Sequence, residues 1–508
     1  MTTVCEPSQS SESTMMPMSL GEIASAVAGR LTVPETAAVR DTATLLATSA
    51  VSDSRQAGEG SVFVAIKGER VDGHDYVASV ADKGAVAAIV EHEVPDAPIA
   101  QIIVDSSVTA LGALARHNIE RRRATGEPFT VVGITGSVGK TTTKDLLKAM
   151  LAELGPTVAP VGSFNNEIGL PLTALKVNAG TRYFVAEMGA NHVGEIAYLT
   201  GIVPPDMAVV LKVGVAHLGE FGSVERIAQA KSEIVRGELP GGVTVLNADD
   251  EHVAAMRSIA PGDVVWFGRK DGHDGRTTDL KALDVHHDEL DHPSFTLTDG
   301  TASAAVHLAI CGDHNVINAL AAATVARRLG LPVERIARVL EDQRHISPHR
   351  MAVSRVERGT AAFTLIDDSF NANPDSMRAG LDGLAAWGAS REPAPARMAV
   401  LGAMLELGED ASRLHRETGA YAAGLGLDAV VAVGSASDPA LDALAGDIAA
   451  GAREAAEASG RDVSVAWVHD VDAADRAVTA FAAGAADPVV LLKGSHASGL
   501  SALAERWA

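Results

Sequence analysis

The chain has 508 residues, with 42 Lys or Arg against 65 Asp or Glu and a formal charge of −23. That balance argues against a general binder of nucleic acid or anionic membranes, which needs a basic face. The 47% apolar and 21% charged content excludes a disordered chain, and the two cysteines, Cys5 and Cys311, exclude a disulfide scaffold and fit a reducing compartment.

At this length about three domains are expected. Residues 1–16 are polar and Ser-rich, without the positive charge or apolar run of a secretory signal, and read as a disordered tail. No stretch reaches the roughly 18 apolar residues of a membrane span, so a cytoplasmic location without membrane insertion is expected. Residues 17–127 mix short apolar runs (61–66, 85–90) with a helix over 108–123 that ends in Arg121, Arg122 and Arg123. A linker carrying Gly126 and Pro128 follows.

Residues 128–343 contain apolar, β-branched runs at 129–134, 183–186, 207–213, 243–246 and 264–267, separated by helical spacing as a parallel sheet requires. Residues 270–305 break that rhythm. They are charged, His-rich and Thr-rich and read as a β-excursion at the surface, with His286, His287 and His292 in a solvated polar loop rather than as metal ligands. A helix over 315–329 closes the region, stopped by Gly330. From 344 to 508, strands at 363–366, 398–401, 429–433, 463–468 and 489–492 alternate with Ala-rich helical stretches, a Rossmann-like series without a GxGxxG turn.

The sharpest feature is Gly133-Ile-Thr-Gly-Ser-Val-Gly-Lys-Thr141. A strand enters it, and a helix with Leu146, Leu147, Met150, Leu151 and Leu154 on one stripe leaves it, ending at Gly155. Thr135, Gly136, Ser137, Val138 and Gly139 would turn backbone N–H groups toward a phosphate chain. Lys140 would reach the β- and γ-phosphates and the Thr141 hydroxyl would hold Mg²⁺. The general motif asks for glycine at position 134, where Ile134 stands; Gly133 is one place early.

Nucleotide switches, transport motors and ligases all use such a loop, so the residues after it must decide. Glu187 ends a strand, where ligands of an open α/β sheet gather, and a carboxylate there suits a hard cation. His217 lies just past the next strand. Lys231 falls in a helix over 224–236 with Ile227, Ile234 and Val235 as neighbours, on the apolar face, where an ammonium is costly. It can snorkel, or lose its proton and add CO₂. The resulting carbamate, beside His217, would hold a second Mg²⁺.

The segments TGSVGKTTTKDL, SFNNEIGLPLT, AEMGANHVGEI, VGVAHLGEFGS, AKSEI, LNADD, GDHNVINALAA, IDDSFNANPDSM, LGAMLELGE and LLKGS follow one another in the order found in the Mur ligases. The chain resembles that family over about residues 50 to 495. DDSFNANPDSM, MLELGE and GANHVGEI resemble the branch that adds D-alanyl-D-alanine, and the DNPR motif of the sister ligase is missing.

The resemblance implies an α/β fold in three domains: a small α/β UDP-binding domain (17–127), a central P-loop ATPase domain with a mostly parallel sheet (128–343) and a C-terminal Rossmann-like ligase domain (344–508). It implies ATP, two Mg²⁺ ions and a carbamylated Lys231. The substrates would be UDP-MurNAc-tripeptide and D-Ala-D-Ala, with no nucleic-acid partner and a monomeric state.

By the same resemblance, Glu187, His217, Thr141 and Lys231 would be metal ligands, and Lys140, Lys231, His217 and Arg350 the catalytic set, with Arg350 meeting the γ-phosphate. Asn315 and Asn318 would lie on the adenine side, and Asp367 or Asp368 at the ribose. Ser54, Arg55 and Lys67 would bind the UDP part. Asn165, Asn166, Asn191, His192, Asn371 and Asn373 would make further substrate contacts, with Lys493 and Ser495 near the dipeptide. Phe370, Ala403 and His496 depart from the family's usual Tyr, acidic residue and Arg. Alternatives are another ligase of the superfamily, such as folylpolyglutamate synthetase, or a P-loop switch that ligates nothing.

Overall fold

The structure, a computed structural model, describes residues 15–34, 45–68, 71–214, 221–271, 277–288, 291–343, 347, 349–359, 361–387 and 391–507. His217 lies outside these residues.

Three sheets carry the three expected domains. The first has the strand order Arg30–Thr32, Ala100–Ile103, Ala87–Val90, Ser61–Val64, Ser49–Val51, parallel except for Arg30–Thr32. The helix Ser107–Ala124 packs beside it, its start capped by Ser106, which accepts from the Thr109 amide, as a helix N-terminus requires.

The central sheet has nine strands, in the order Thr157–Val158, Tyr183–Glu187, Thr130–Thr135, Met207–Val210, Val243–Asn247, Asp263–Gly268, Leu280–His287, Pro293–Thr298, Ser303–His307. The first seven run parallel, Pro293–Thr298 runs against them, and Ser303–His307 pairs antiparallel with it. Its middle parallel strands, Tyr183–Glu187, Thr130–Thr135, Met207–Val210 and Val243–Asn247, are buried along all or all but one of their residues, because helices cover both faces. Chain order reverses around Thr130–Thr135, with the next long strand on one side and Met207–Val210 on the other. A crevice therefore opens beyond its carboxyl end.

The third sheet has the order Ala352–Arg358, Ala361–Asp368, Val489–Lys493, Arg397–Gly402, Ala429–Val433, Ser464–Val468, parallel apart from the first hairpin.

The structure differs from the sequence reading in several places. Met15 and Met16, assigned to the tail, are tied into the first domain: Met15 is fully buried and the Met16 amide donates to Asn118 Oδ1 at 3.1 Å. The 270–305 segment is the β-excursion expected, extending the central sheet through Leu280–His287, Pro293–Thr298 and Ser303–His307, although His286 and His287 sit in a strand rather than in a loop. Its histidines pair locally, His287 with Asp313 and His292 with Asp288, and among the described residues no group of three or more metal-ligating side chains forms. The helix Val333–Asp342 and the edge strand Ala352–Arg358 were not expected. Among the described residues no helix is long and apolar enough to cross a membrane.

Candidate active site

The phosphate loop sits at the reversal point. Thr130–Thr135 delivers it, Gly139 turns it with φ 84°, and the helix Lys140–Ala152 leaves with Leu146, Leu147, Met150 and Leu151 buried. A side chain at Gly139 would collide with the Asn318 amide, which explains why only glycine fits there. Asn318 is held by donating to Asn315 Oδ1 at 2.8 Å, and Asn315 by donating to the Cys311 carbonyl at 2.6 Å. Lys140 folds back and donates to the Gly136 carbonyl at 2.8 Å.

Gly133, the glycine one place early, is buried in the strand and has no phosphate role. A Cβ there would lie 3.1 Å from Ile234 Cδ1 and 3.2 Å from Pro205 Cβ. It lets the helix Val224–Arg236, which carries Lys231, press against the strand that feeds the loop.

Glu187 is fully buried at the end of its strand. Its Oε1 accepts from Thr141 Oγ1 at 3.2 Å and from Asn165 Nδ2 at 2.8 Å, while Oε2 is buried without a partner. A buried carboxylate oxygen left open beside a loop hydroxyl is a donor set that fits a hard divalent cation.

Lys231 is 2% exposed among fully buried Ile227, Ala230, Ile234 and Val235, with its ammonium 5.7 Å from the Phe221 ring centre. Burial, reinforced by the nearby Lys140 charge, pulls it down to about 7. Burial also lowers Lys140, against the pull of Glu187 and with the push of Arg350. Lys140 and Arg350 line one cavity, which Lys231 does not; Lys231 lies behind it, close enough for the Lys140 charge to act on it, and such a concentration of cations suits anionic ligands.

The surrounding loop is shaped by carboxylates that sequence reading missed. Glu233, two residues after Lys231, accepts from the Gly194 and Ala197 amides at 2.7 and 2.9 Å. Glu195 accepts from the Asn191 amide at 2.7 Å and pairs with His192. Their Glu identity was visible in AKSEI and VGEI, but the partners of Glu233 lie far along the chain.

The third domain supplies the opposite wall. Arg350 stacks over Phe370 at 4.5 Å, and its Nε is buried without a partner. Asp368 and Lys493, at the ends of adjacent strands, form an ion pair. Asp375, unassigned from sequence, meets the central domain so closely that a Cβ at Gly214 would lie 2.5 Å from its Oδ2.

Together these walls enclose a cavity of about 900 Å³. It is lined by Ser137–Thr142, Asn165, Asn166, Glu187, Asn191, Asn315 and Asn318 from the central domain, Arg350, Asp368, Asn371, Asn373 and Lys493 from the third, and Val108 and Thr109 from the first.

The structure does not gather every expected residue there. Asp367 is turned away and bonded to His349. The Ser495 hydroxyl is buried without a partner and His192 is exposed, and neither lines the cavity. Ser54, Arg55 and Lys67 stand apart at the strand ends of the first domain, Arg55 paired with Asp53 at 2.7 Å.

Family models match in chain order: "Mur ligase family, catalytic domain" over 49–119, "Mur ligase middle domain" over 134–326 and "Mur ligase, glutamate ligase domain" over 349–496. The chain belongs to the Mur ligase family. It is 44% identical over 474 residues to the UDP-N-acetylmuramoyl-tripeptide--D-alanyl-D-alanine ligase of Mycobacterium tuberculosis (strain ATCC 25618 / H37Rv), covering 89% of this chain and 90% of the relative. It is 34% identical over 387 residues to the Escherichia coli (strain K12) enzyme of the same name, covering 76% and 81%.

Among solved structures, MurF from Acinetobacter baumannii superposes with a TM-score of 0.79 at 32% identity, over 97% of this chain and 99% of that one. MurF from Thermotoga maritima in complex with ADP superposes with a TM-score of 0.69 at 30% identity, over 90% and 96%. The three-domain α/β architecture of this Mur ligase is thereby shared along nearly its whole length.

Proposed function

We propose that this chain uses ATP to join D-Ala-D-Ala to the tripeptide carboxylate of UDP-MurNAc-tripeptide, giving UDP-MurNAc-pentapeptide, ADP and phosphate for peptidoglycan synthesis. The observation that carries this reading is the single cavity in which the phosphate loop, the buried Glu187 and the third-domain Arg350 meet.

A carboxylate is a poor electrophile, so one of its oxygens first attacks the γ-phosphorus and ADP leaves, producing an acyl phosphate. Both reactants are anionic. Lys140 and Arg350 neutralise them and stabilise charge on the transferring group. The amine of D-Ala-D-Ala then attacks the acyl carbon, and the tetrahedral intermediate expels phosphate as the amine loses its proton. Much of the acceleration comes from positioning three substrates together.

Thr141 and Glu187 would hold Mg²⁺, with Lys231, as a carbamate, and His217 as the arm for a second ion. When bound, such ions supply charge neutralisation on the phosphates. The lowered Lys231 supports the carbamate, because a neutral amine is the form that adds CO₂. Asn315 and Asn318 would border the nucleotide and Asp368 its ribose. Lys493, Asn371, Asn373, Asn165, Asn166 and Asn191 would border the peptide substrates, and Ser54, Arg55 and Lys67 the UDP part. The reading carries with it a cytoplasmic, monomeric enzyme.

The test is mass spectrometry of the product from ATP, UDP-MurNAc-tripeptide and D-Ala-D-Ala. The pentapeptide precursor is expected. Phosphate release indifferent to the dipeptide, or an equal product with glutamate, would overturn the proposal.

A further inference from the structure

Arg350 is presented by a turn that the chain does not adopt freely. His349 and Met351, on either side of it, have φ of 61° and 50°, a left-handed region that non-glycine residues occupy at a cost and keep only where the surroundings fix them.

Both flanks are fixed here. Met351 is buried in the third-domain core with Ile366, Met377 and Leu381. The imidazole of His349 is held through Nδ1, which lies 2.7 Å from Asp367 Oδ2. Asp367 is itself braced, its Oδ1 accepting from the Ser369 hydroxyl at 2.6 Å and the Ser369 amide at 3.2 Å. Ser369 is fully buried, and its carbonyl accepts from the Ser501 hydroxyl at 2.8 Å. A chain of contacts therefore runs from the helix Leu500–Trp507 through Ser369, Asp367 and His349 to the backbone of Arg350. Asp368, the next residue, lines the cavity; Asp367 does not.

We infer that Asp367 is a positioning residue for phosphoryl transfer: through His349 it locks the turn that aims Arg350 into the cavity, and it touches no substrate. The inference rests on the reading of Arg350 proposed above. Its physical content is that an arginine on four rotatable bonds stabilises a transferring phosphoryl group only if its backbone is already set, and a small misplacement is expensive.

The experiment compares Asp367→Ala, Asp367→Asn, His349→Ala, His349→Asn and Arg350→Ala in the full chain. The measurements are kcat, KM for ATP and thermal unfolding. Asp367→Ala and His349→Ala should lower kcat by about tenfold or more while KM for ATP moves less than about threefold. His349→Asn, whose amide N–H can replace Nδ1–H, should recover most of the loss, and Asp367→Asn should fall between.

A structural role alone would lower unfolding temperature and active fraction without the split between kcat and KM or the recovery by Asn. Wild-type kcat in the Asp367 and His349 variants beside a crippled Arg350→Ala overturns the inference alone. A rise in KM for ATP in the Asp367 variants also overturns it, by showing contact with nucleotide. An Arg350→Ala enzyme with normal kcat overturns the reading of Arg350 as well. If an Ala variant does not fold, a kcat deficit in Asp367→Asn against near-normal His349→Asn supports the inference, and the reverse ranking overturns it.

Discussion

The junction between the first and second domains and the junction between the second and third are built from different materials. At the first, one apolar cluster runs through both domains, joining Leu111, Leu114 and Ile119 to Leu170, Leu175 and Ile196. Arg122, 2% exposed, donates to the carbonyls of Thr181, Glu127 and Pro128 and lies 4.9 Å over the Phe129 ring. Arg123 grips Asp206 from the neighbouring position. The stretch expected to be a linker is thus clamped along its length.

At the second junction the contacts named are mostly polar, with Cys311 of the central domain joining the third-domain apolar cluster. Ser347 donates to Asp145, beside buried Lys144 of the phosphate-loop helix, Asn191 donates to Glu406 at 3.3 Å, and Asp375 approaches Gly214. Apolar burial welds, whereas hydrogen bonds that water can replace release at little net cost. On this contrast the half that holds the phosphate loop and the Lys231 arm is expected to be rigid, and the half that brings Arg350 is expected to be the one that moves.

Four measurements would break or sharpen that contrast. The largest effect is expected inside the rigid block at its chemical end. Lys231→Ala should cut ligation by about a thousandfold, with partial recovery on adding a short carboxylate; full activity without additive would remove Lys231 from the reaction.

Next, Arg122→Ala should cost about 3 kcal/mol of stability by leaving buried carbonyls without donors, read by denaturant unfolding. A loss under about 0.5 kcal/mol would mean the first junction is no weld.

Third is Glu238, buried between strands of the block, which accepts from the Ala208 amide and the Thr244 hydroxyl. Burial pushes its carboxyl up to about 7 from 4.5. The folded state therefore keeps a proton that the unfolded chain releases, and stability should fall as pH rises from about 4.5 to 7 and then level off. Glu238→Gln should be about 1–3 kcal/mol more stable than the parent above pH 7 and lose that advantage below about pH 4.5. An advantage independent of pH would show that Glu238 is not the titrating group.

The smallest effect is expected at the polar junction. Ser347→Ala should lower kcat about threefold with unfolding unchanged; lost stability at constant kcat would make this junction structural instead.

Much of this was legible because it is local. The phosphate loop announces itself by glycine spacing between a strand and an amphipathic helix, and Lys231 by its place on an apolar stripe, so both were readable from 3.6-residue periodicity. Ala352–Arg358 was not, because an edge strand exposed at Ala352–Arg355 on both faces carries no alternation to read. Arg122 looked like one of three arginines ending a helix; only the fold reveals the carbonyls that surround it. The choice between Asp367 and Asp368 needed coordinates too, since adjacent residues of a strand face opposite sides.

At Gly133 the strand that feeds the phosphate loop carries no side chain. Because nothing projects from that residue, the spacing between the two arms of the catalytic centre is set by bare backbone against Ile234 and Pro205. One added methyl would ask Ile234 or Pro205 to give way by a few tenths of an ångström, pressing the lysine-bearing helix away from the strand that feeds the phosphate loop.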